Sequence, residues 1–206
     1  MSHLILGITP QKRNKSRVNL MAEEGFLLSI SYETLLRHHI KEGSVVEEEL
    51  LEVLRREDSE KYAKELAMGY IAYAPRTCRQ VCEHLAAKGI DEQSVRAAIE
   101  ALKRYGYVDD AAYIREFVRS YSGKLGKGAM RARLLQRGVS REDLDAHLEL
   151  PEEDERAAAA AVLAKLEQRY QGQDEQKARQ KVYAALARRG FSHEVISFVM
   201  KGEELD

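Results

Sequence analysis

The chain has 206 residues, of which 44% are hydrophobic and 33% are charged, and its formal net charge at pH 7 is −1. These values are typical of a globular protein of one or two domains and exclude a largely disordered chain. Because no apolar run approaches the roughly 18 residues of a membrane span, and no signal-peptide core is present, we expect a cytoplasmic protein without a membrane partner.

The cysteines and histidines do not predict a metal centre. Cys78 and Cys82 lie four positions apart on a predicted helix, where two small buried thiols are commoner than a redox or metal pair. The histidines form no HExxH motif, and no second cysteine pair completes a site. We therefore predict that the protein holds no metal and no cofactor.

The first 30 residues have the pattern of β-strands. The run HLILGI has the length of a strand, and RVNLMAEEGFLLSI predicts a hairpin because apolar residues alternate on both sides of the turn EEG. The alternating residues are Val18, Leu20, Phe26, Leu28 and Ile30. The polar segment QKRNKSR is expected to be an exposed loop that carries Lys12, Arg13, Lys15 and Arg17. Such a small sheet must pack on the residues that follow it.

From Ser31 onward the spacing of the apolar residues becomes helical. Ser31 and Thr34 are expected to open a helix that Gly43 closes. Ser44 and Glu47 then have the spacing of a capping box ahead of LLEVL.

A longer helix is predicted to begin after Asp58, its N-cap, and to end before Pro75. One face of this helix is marked by Tyr62, Leu66, Tyr70 and Tyr73. Thr77 and Gln80 form a further capping box at the start of the next helix.

One seven-residue phrase occurs three times, as LAAKGID at 85–91, LLQRGVS at 134–140 and LARRGFS at 186–192. Its glycines, Gly89, Gly138 and Gly190, are separated by 49 and 52 positions. A glycine after the last turn of a helix takes the left-handed conformation, and the cation before it meets the negative helix end. Asp or Ser two positions later caps the following helix. The phrase therefore marks a helix–turn–helix within an internal repeat of about 50 residues.

A longer helix precedes each helix–turn–helix, at residues 59–73, about 110–122 and about 154–170. We therefore predict an all-α fold of tandem three-helix repeats, elongated and curved, with a small N-terminal β-hairpin and helical extension. The predicted domains are residues 1–57 for the extension and residues 58–109, 110–153 and 154–206 for the three repeats.

Parts of the sequence resemble the RecX regulators of RecA recombinase. They are AYAPRTCRQVCEHLAAKGI, LKRYGYVDDAAYIREFV and, a few residues later, GKLGKGAMRARLLQRGVS. The residues that carry the resemblance are Tyr73, Arg76, Thr77, Leu85, Lys88, Gly89, Gly106, Tyr107, Val108, Asp109, Asp110, Tyr113, Phe117, Gly126, Lys127 and Gly128. The strong match covers about residues 60–141. The N-terminal hairpin resembles an extension seen in some members, and the last unit matches mainly through the repeat.

The resemblance implies tandem three-helix repeats without catalytic activity, and a role in homologous recombination, DNA repair and the SOS response. It implies that the partner is the RecA filament on single-stranded DNA, whose growth, ATPase and strand exchange the protein inhibits from the filament groove. We expect a monomer. Weak binding to single- or double-stranded DNA is left open, because the nearly neutral net charge does not favour strong binding to DNA alone.

The cations are unevenly distributed. Residues 115–141 contain eight cations and one acid, whereas residues 142–155 contain eight acids and neither Lys nor Arg. The stretch GKLGKGAMRAR lacks the P-loop pattern and is interpreted as either a solvated linker or a contact loop for phosphate or an acidic surface. We expect several of its cations to share a face. The hypothesised partner-binding residues are Arg76, Lys124, Lys127, Arg131, Arg133 and Arg137.

Other candidate sites have simpler explanations. Asp109 and Asp110 are the most enzyme-like pair, but their place just before AAYIREF favours helix capping, so we predict no catalytic residue and no enzyme. Tyr105 and Tyr107 have rings that can stack on bases, but they are expected to pack in the core at a turn between units.

The alternative function is that of a winged helix-turn-helix transcription regulator, because RTCRQVCEHLAAKGIDEQSVRAAIEALKRYGYVDD also fits that motif. A winged domain would continue into a β-ribbon, whereas here a helix is predicted to follow at once and the unit recurs. Repetition favours the RecX interpretation.

Overall fold

The computed structural model describes residues 2–12 and 14–202, so the predicted loop cation Arg13 and the last four residues of the third predicted domain lie outside the described residues. The chain divides into two compact units. One comprises Met1–Ala74 and Val81–Tyr107, and the other comprises Pro75–Gln80 and Val108–Asp206.

The first part of the chain contains five short strands and a long helix. The elements are β1 (Ser2–Leu4), β2 (Gly7–Pro10), β3 (Arg17–Ala22), β4 (Gly25–Ser31), α1 (Tyr32–Arg37), β5 (Val45–Glu47) and α2 (Glu48–Ile71). The remaining described residues form helices: α3 (Cys78–Ala87), α4 (Glu92–Arg104), α5 (Asp110–Tyr121), α6 (Lys127–Gln136), α7 (Arg141–His147), α8 (Glu152–Tyr170), α9 (Glu175–Arg188) and α10 (His193–Lys201). No strand follows β5 in the described part of the chain, so α4 leads into α5 without a β-ribbon.

The predicted hairpin is confirmed as β3 and β4, the second and third strands of an antiparallel sheet of order β2-β3-β4. Val18 lies opposite Ile30 and Leu20 opposite Leu28, and these side chains are buried. The alternation ends at a register shift between Leu20 and Met21, and Phe26 beyond it is 63% exposed. A bulge interrupts the two-residue period of a strand, which explains why Phe26 does not join the core.

The sheet packs on the first half of α2, as a small sheet requires. Strands and helix share one hydrophobic cluster, in which Ile5, Leu20, Ile30, Leu51 and Leu54 are almost completely buried.

The boundaries predicted between residues 31 and 47 are partly wrong. Ser31 caps α1 as expected, because its hydroxyl accepts a hydrogen bond from Thr34 N at 3.1 Å. The helix ends after six residues, well before Gly43, and His39 has a φ of +53°. The expected capping box at Ser44 and Glu47 does not form, since residues 45–47 pair with β1 as strand β5.

The break predicted at Asp58 is also wrong, because α2 is one continuous helix of 24 residues. The buried positions of its second half are Ala63 and Ala67 rather than the predicted tyrosine face, and Tyr73 is 90% exposed beyond the helix end. Buried alanines allow α2 to pack closely against α4, and a tyrosine row cannot do so.

The three repeated turns are confirmed. Gly89, Gly138 and Gly190 have φ values of +79°, +86° and +82°. The predicted caps of the following helices also form: Asp91 accepts from Ser94 N at 2.9 Å, Ser140 from Asp143 N at 2.9 Å and Ser192 from Val195 N at 3.2 Å. The reciprocal bonds of the Thr77–Gln80 capping box are present at 3.1 and 3.2 Å. The fold is therefore mostly helical, with three tandem three-helix repeats after a small N-terminal sheet.

Candidate partner-binding surface

Lys124 and Lys127 lie at the start of α6, where a short loop leads from α5. Leu125, between them, is 6% exposed and packs into the core of the second repeat. Backbone hydrogen bonds from Lys124 N and Leu125 N to Tyr121 O, at 2.9 and 3.0 Å, hold the loop in place. Both lysine side chains are exposed, so their ammonium groups lie in solvent. The backbone that carries them is held by these hydrogen bonds.

The cations of α6 lie on two sides of the helix rather than on one face. Met130 and Leu134 are buried and define the core side. Residues two positions apart point about 200° from each other, so Arg131 and Arg133 diverge. Arg131 donates to Asp145 Oδ1 of α7 at 2.7 Å. Arg133 is exposed, with its guanidinium 6.0 Å from the centroid of the Tyr121 ring.

Arg137, at the end of α6, is held by contacts within the protein. Its guanidinium donates to the Tyr113 hydroxyl at 2.6 Å and lies 5.0 Å from the centroid of the Phe117 ring. Its carbonyl accepts a hydrogen bond from the Thr77 hydroxyl at 2.6 Å. Arg76, immediately before Thr77, is half-buried. The six predicted cations are therefore not equivalent: Lys124, Lys127 and Arg133 are exposed, whereas the other three are half-buried.

The Gly-Lys-Gly sequence at 126–128 forms a joint between the second and third repeats. Gly126 N donates to Arg189 O at 2.9 Å, and Gly128 N donates to Gly190 O at 3.2 Å. A Cβ atom on Gly126 would lie 2.5 Å from Phe191 N and would collide with the carbonyl of Gly190. Lys127 N donates to Glu155 Oε1 at 2.7 Å. Because these backbone N–H groups are bound within the protein, they cannot form a phosphate cradle.

The same arrangement occurs one repeat earlier. Thr77 and Cys78 precede Gly126 and Lys127 by 49 positions, the spacing of the first two repeats. Thr77 bonds the carbonyl of Arg137, and Cys78 N donates to Asp110 Oδ1 at 2.8 Å. In both joints the residue before a turn glycine, Arg137 or Arg189, accepts a hydrogen bond through its carbonyl oxygen. In both, an acid from the longer helix of the later repeat, Asp110 or Glu155, caps a helix of the preceding repeat.

Asp58 of α2 has a related role toward the N-terminal sheet. It is 4% exposed and accepts a hydrogen bond from Ser31 N at 2.6 Å, at the start of α1. Its second carboxylate oxygen accepts from the Arg17 guanidinium at 2.6 Å. Arg17 is thus a partly buried strand residue that pairs with Asp58, and its predicted place in an exposed loop is wrong.

The assignment of Asp109 to capping is confirmed, whereas Asp110 caps a helix other than the predicted one. Asp109 caps its own helix by accepting from Ala112 N at 2.9 Å, while Asp110 caps α3. Tyr105 and Tyr107, expected in the core, are instead 71% and 56% exposed.

Two kinds of feature are absent from residues 2–12 and 14–202. No group of three or more His, Cys, Asp and Glu residues is placed to hold a metal ion. No helix in these ranges has both the length and the apolar character needed to cross a membrane. Cys78 and Cys82 are half-buried thiols.

Four family models match the chain in sequence order. The model of the regulatory protein RecX N-terminal domain matches residues 3–47. The models of the first, second and third three-helix domains of RecX match residues 63–102, 109–148 and 152–200.

Curated relatives and solved structures agree with these matches. Regulatory protein RecX of Clostridium botulinum (strain Eklund 17B / Type B) is 34% identical over 93% of this chain and 92% of its own length. The protein of the same name from Staphylococcus carnosus is 28% identical over 97% of this chain and 75% of its own length.

A crystal structure of regulatory protein RecX has a TM-score of 0.72 and 25% identity, and the match covers 98% of this chain and 100% of that one. The crystal structure of RecX from Lactobacillus salivarius has a TM-score of 0.66 and 21% identity. This match covers 70% of this chain and 96% of that one, and it supports the fold alone.

Proposed function

This chain belongs to the RecX family, and from that premise we propose that it regulates the RecA recombinase. It binds RecA filaments on single-stranded DNA as a cytoplasmic monomer and inhibits their growth, ATPase and strand exchange without performing chemistry. The observation that carries the proposal is the match of all four RecX domain models, in order, along one chain.

The contact surface that we propose comprises the start of α6 and the exposed cations on two of its sides. Lys124, Lys127 and Arg133 are exposed, and both lysine and arginine bind the oxygens of phosphates and of carboxylates. Arg131, paired with Asp145 at the surface, adds charge to the side of Lys127. Arg76 and Arg137, being half-buried, orient the repeat rather than dominate the contact.

The backbone beneath this surface supports the proposal. The joint at Gly126 fixes the direction in which α6 leaves the loop, so the cations are presented by a rigid element. A rigid charged surface loses little conformational entropy when it binds an extended, negatively charged partner.

The test is a RecA ATPase and strand-exchange assay in the presence of substoichiometric protein. Wild-type protein is expected to inhibit both activities. The triple variant K124E/K127E/R133E is expected to lose most of the inhibition, and its binding to filaments should depend less on salt concentration.

The control triple variant K165E/R169E/K177E makes the same change in net charge at exposed residues of the third repeat. We expect it to inhibit like the wild type. If both triple variants lose inhibition equally, net charge rather than the α6 surface is responsible. If wild-type protein leaves RecA activity unchanged, the proposed function is wrong.

A further inference from the structure

Tyr105 and Tyr107 form an exposed aromatic pair at the end of α4. Their side chains are 71% and 56% exposed, and their ring centroids are 6.3 Å apart with an interplanar angle of 47°. Exposed aromatic rings that lie together on a protein surface are characteristic of binding sites, because hydration of their faces is unfavourable.

The turn that carries the two rings is firmly held. Gly106 has a φ of +71°, and its N–H donates to Lys103 O at 3.0 Å. Tyr107 N donates to Leu102 O at 2.9 Å. Leu102 and Val108, on either side of the turn, are 3% and 2% exposed and anchor it in the protein. The rings are therefore presented by a fixed backbone.

The repeat does not require exposed rings at this position. At the 49-residue spacing of the first two repeats, Tyr105 and Tyr107 correspond to Asp154 and Arg156. The second repeat thus has no aromatic residue where the first repeat carries two exposed rings.

Cations accompany the rings. Lys103 and Arg104, in the last turn of α4, are exposed and precede Tyr105 directly. Aromatic rings beside cations suit single-stranded nucleic acid, whose unpaired bases stack on the rings while the cations contact its phosphates. In a duplex the base faces are covered by their neighbours.

We propose that Tyr105 and Tyr107, together with Lys103 and Arg104, form a binding site for single-stranded nucleic acid. The tilt of the two rings prevents them from holding one base between them, so each ring stacks on a different base. This site acts without RecA, and it lies on the first repeat rather than on the proposed contact surface of α6.

The experiment measures the fluorescence anisotropy of a labelled oligothymidylate of about 15 nucleotides at low salt, with no RecA present. Replacing both rings in Y105S/Y107S is expected to weaken binding at least tenfold, while Y105F/Y107F, which keeps the stacking faces, stays within about twofold of the wild type. The matched control Y32S removes a tyrosine that is 53% exposed in α1 and should leave binding unchanged.

A second measurement places the contact. The chain contains no tryptophan, so Y105W introduces a single indole whose emission should be quenched when the oligothymidylate binds. The proposal is overturned if wild-type protein does not bind the oligonucleotide, if Y105S/Y107S binds as tightly as the wild type with an unchanged circular dichroism spectrum, or if duplex DNA binds equally well. None of these outcomes bears on RecA inhibition, which is assayed separately.

Discussion

Gly126→Ala tests whether the joint between the second and third repeats depends on close backbone approach. Gly126 has a φ of −77°, which alanine adopts freely, so the substitution adds no backbone strain. The new Cβ would instead lie 2.5 Å from Phe191 N, and a backbone atom cannot rotate away as a side chain can. The joint must therefore open to admit one methyl group.

The cost follows from the hydrogen bonds that opening would break. Gly126 is buried, so loss of the bond from its N–H to Arg189 O costs roughly 1–3 kcal/mol, whereas loss of the bond from the exposed Gly128 N–H to Gly190 O costs roughly 0.5–1.5 kcal/mol. Replacing glycine by alanine also stabilises the folded protein by about 0.4–1 kcal/mol, because it lowers the conformational entropy of the unfolded chain. We expect a net loss of about 1–4 kcal/mol in the free energy of unfolding, measured by urea denaturation followed by circular dichroism.

Gly123→Ala is the matched control, because a Cβ there meets no atom within 4 Å. It should change the free energy of unfolding by less than about 1 kcal/mol. A Gly126→Ala protein as stable as the wild type would refute the close-approach argument, and so would an equal loss in Gly123→Ala.

Two further predictions concern the turns of the repeat. Gly138 and Gly89 share a left-handed backbone, but only Gly138 is crowded, by the side chain of Arg79. Gly138→Val should therefore lose roughly 1–3 kcal/mol and more than Gly89→Val in urea denaturation, and equal losses would show that crowding contributes nothing. The Ser59 hydroxyl and the Ser94 N–H lower the pKa of Asp91 from 3.8 to about 2. Because folding lowers this pKa, the ionised Asp91 carboxylate contributes its full stabilisation of the folded protein above about pH 4. This contribution is lost as the pH falls toward 2. The stability difference between wild-type protein and Asp91→Asn should shrink over that interval, and a constant difference would contradict the assignment.

The repeat could be predicted from sequence because its signals are local. Each turn glycine and the cap that follows it act within a few residues, so the same phrase has the same structure wherever it occurs. The hairpin at β3 and β4 was predictable for the same reason. Asp109 and Asp110 could be assigned to capping from their position at a helix start, although the helix that Asp110 caps lies 32 residues earlier.

Tertiary structure decided the features that depend on residues distant in sequence. Asp58 has the local appearance of an N-cap, but its carboxylate pairs with the partly buried Arg17 of β3 and accepts a hydrogen bond from Ser31 N at the end of β4. Local sequence cannot distinguish these roles, because both require a short acid before a helical run. The exposure of Tyr105 and Tyr107 likewise depended on packing, since an aromatic side chain suits a core and a binding surface equally well. Gly126 resembles a flexible loop residue in sequence, and only the approach of the Gly190 turn shows that the missing side chain makes room for another backbone.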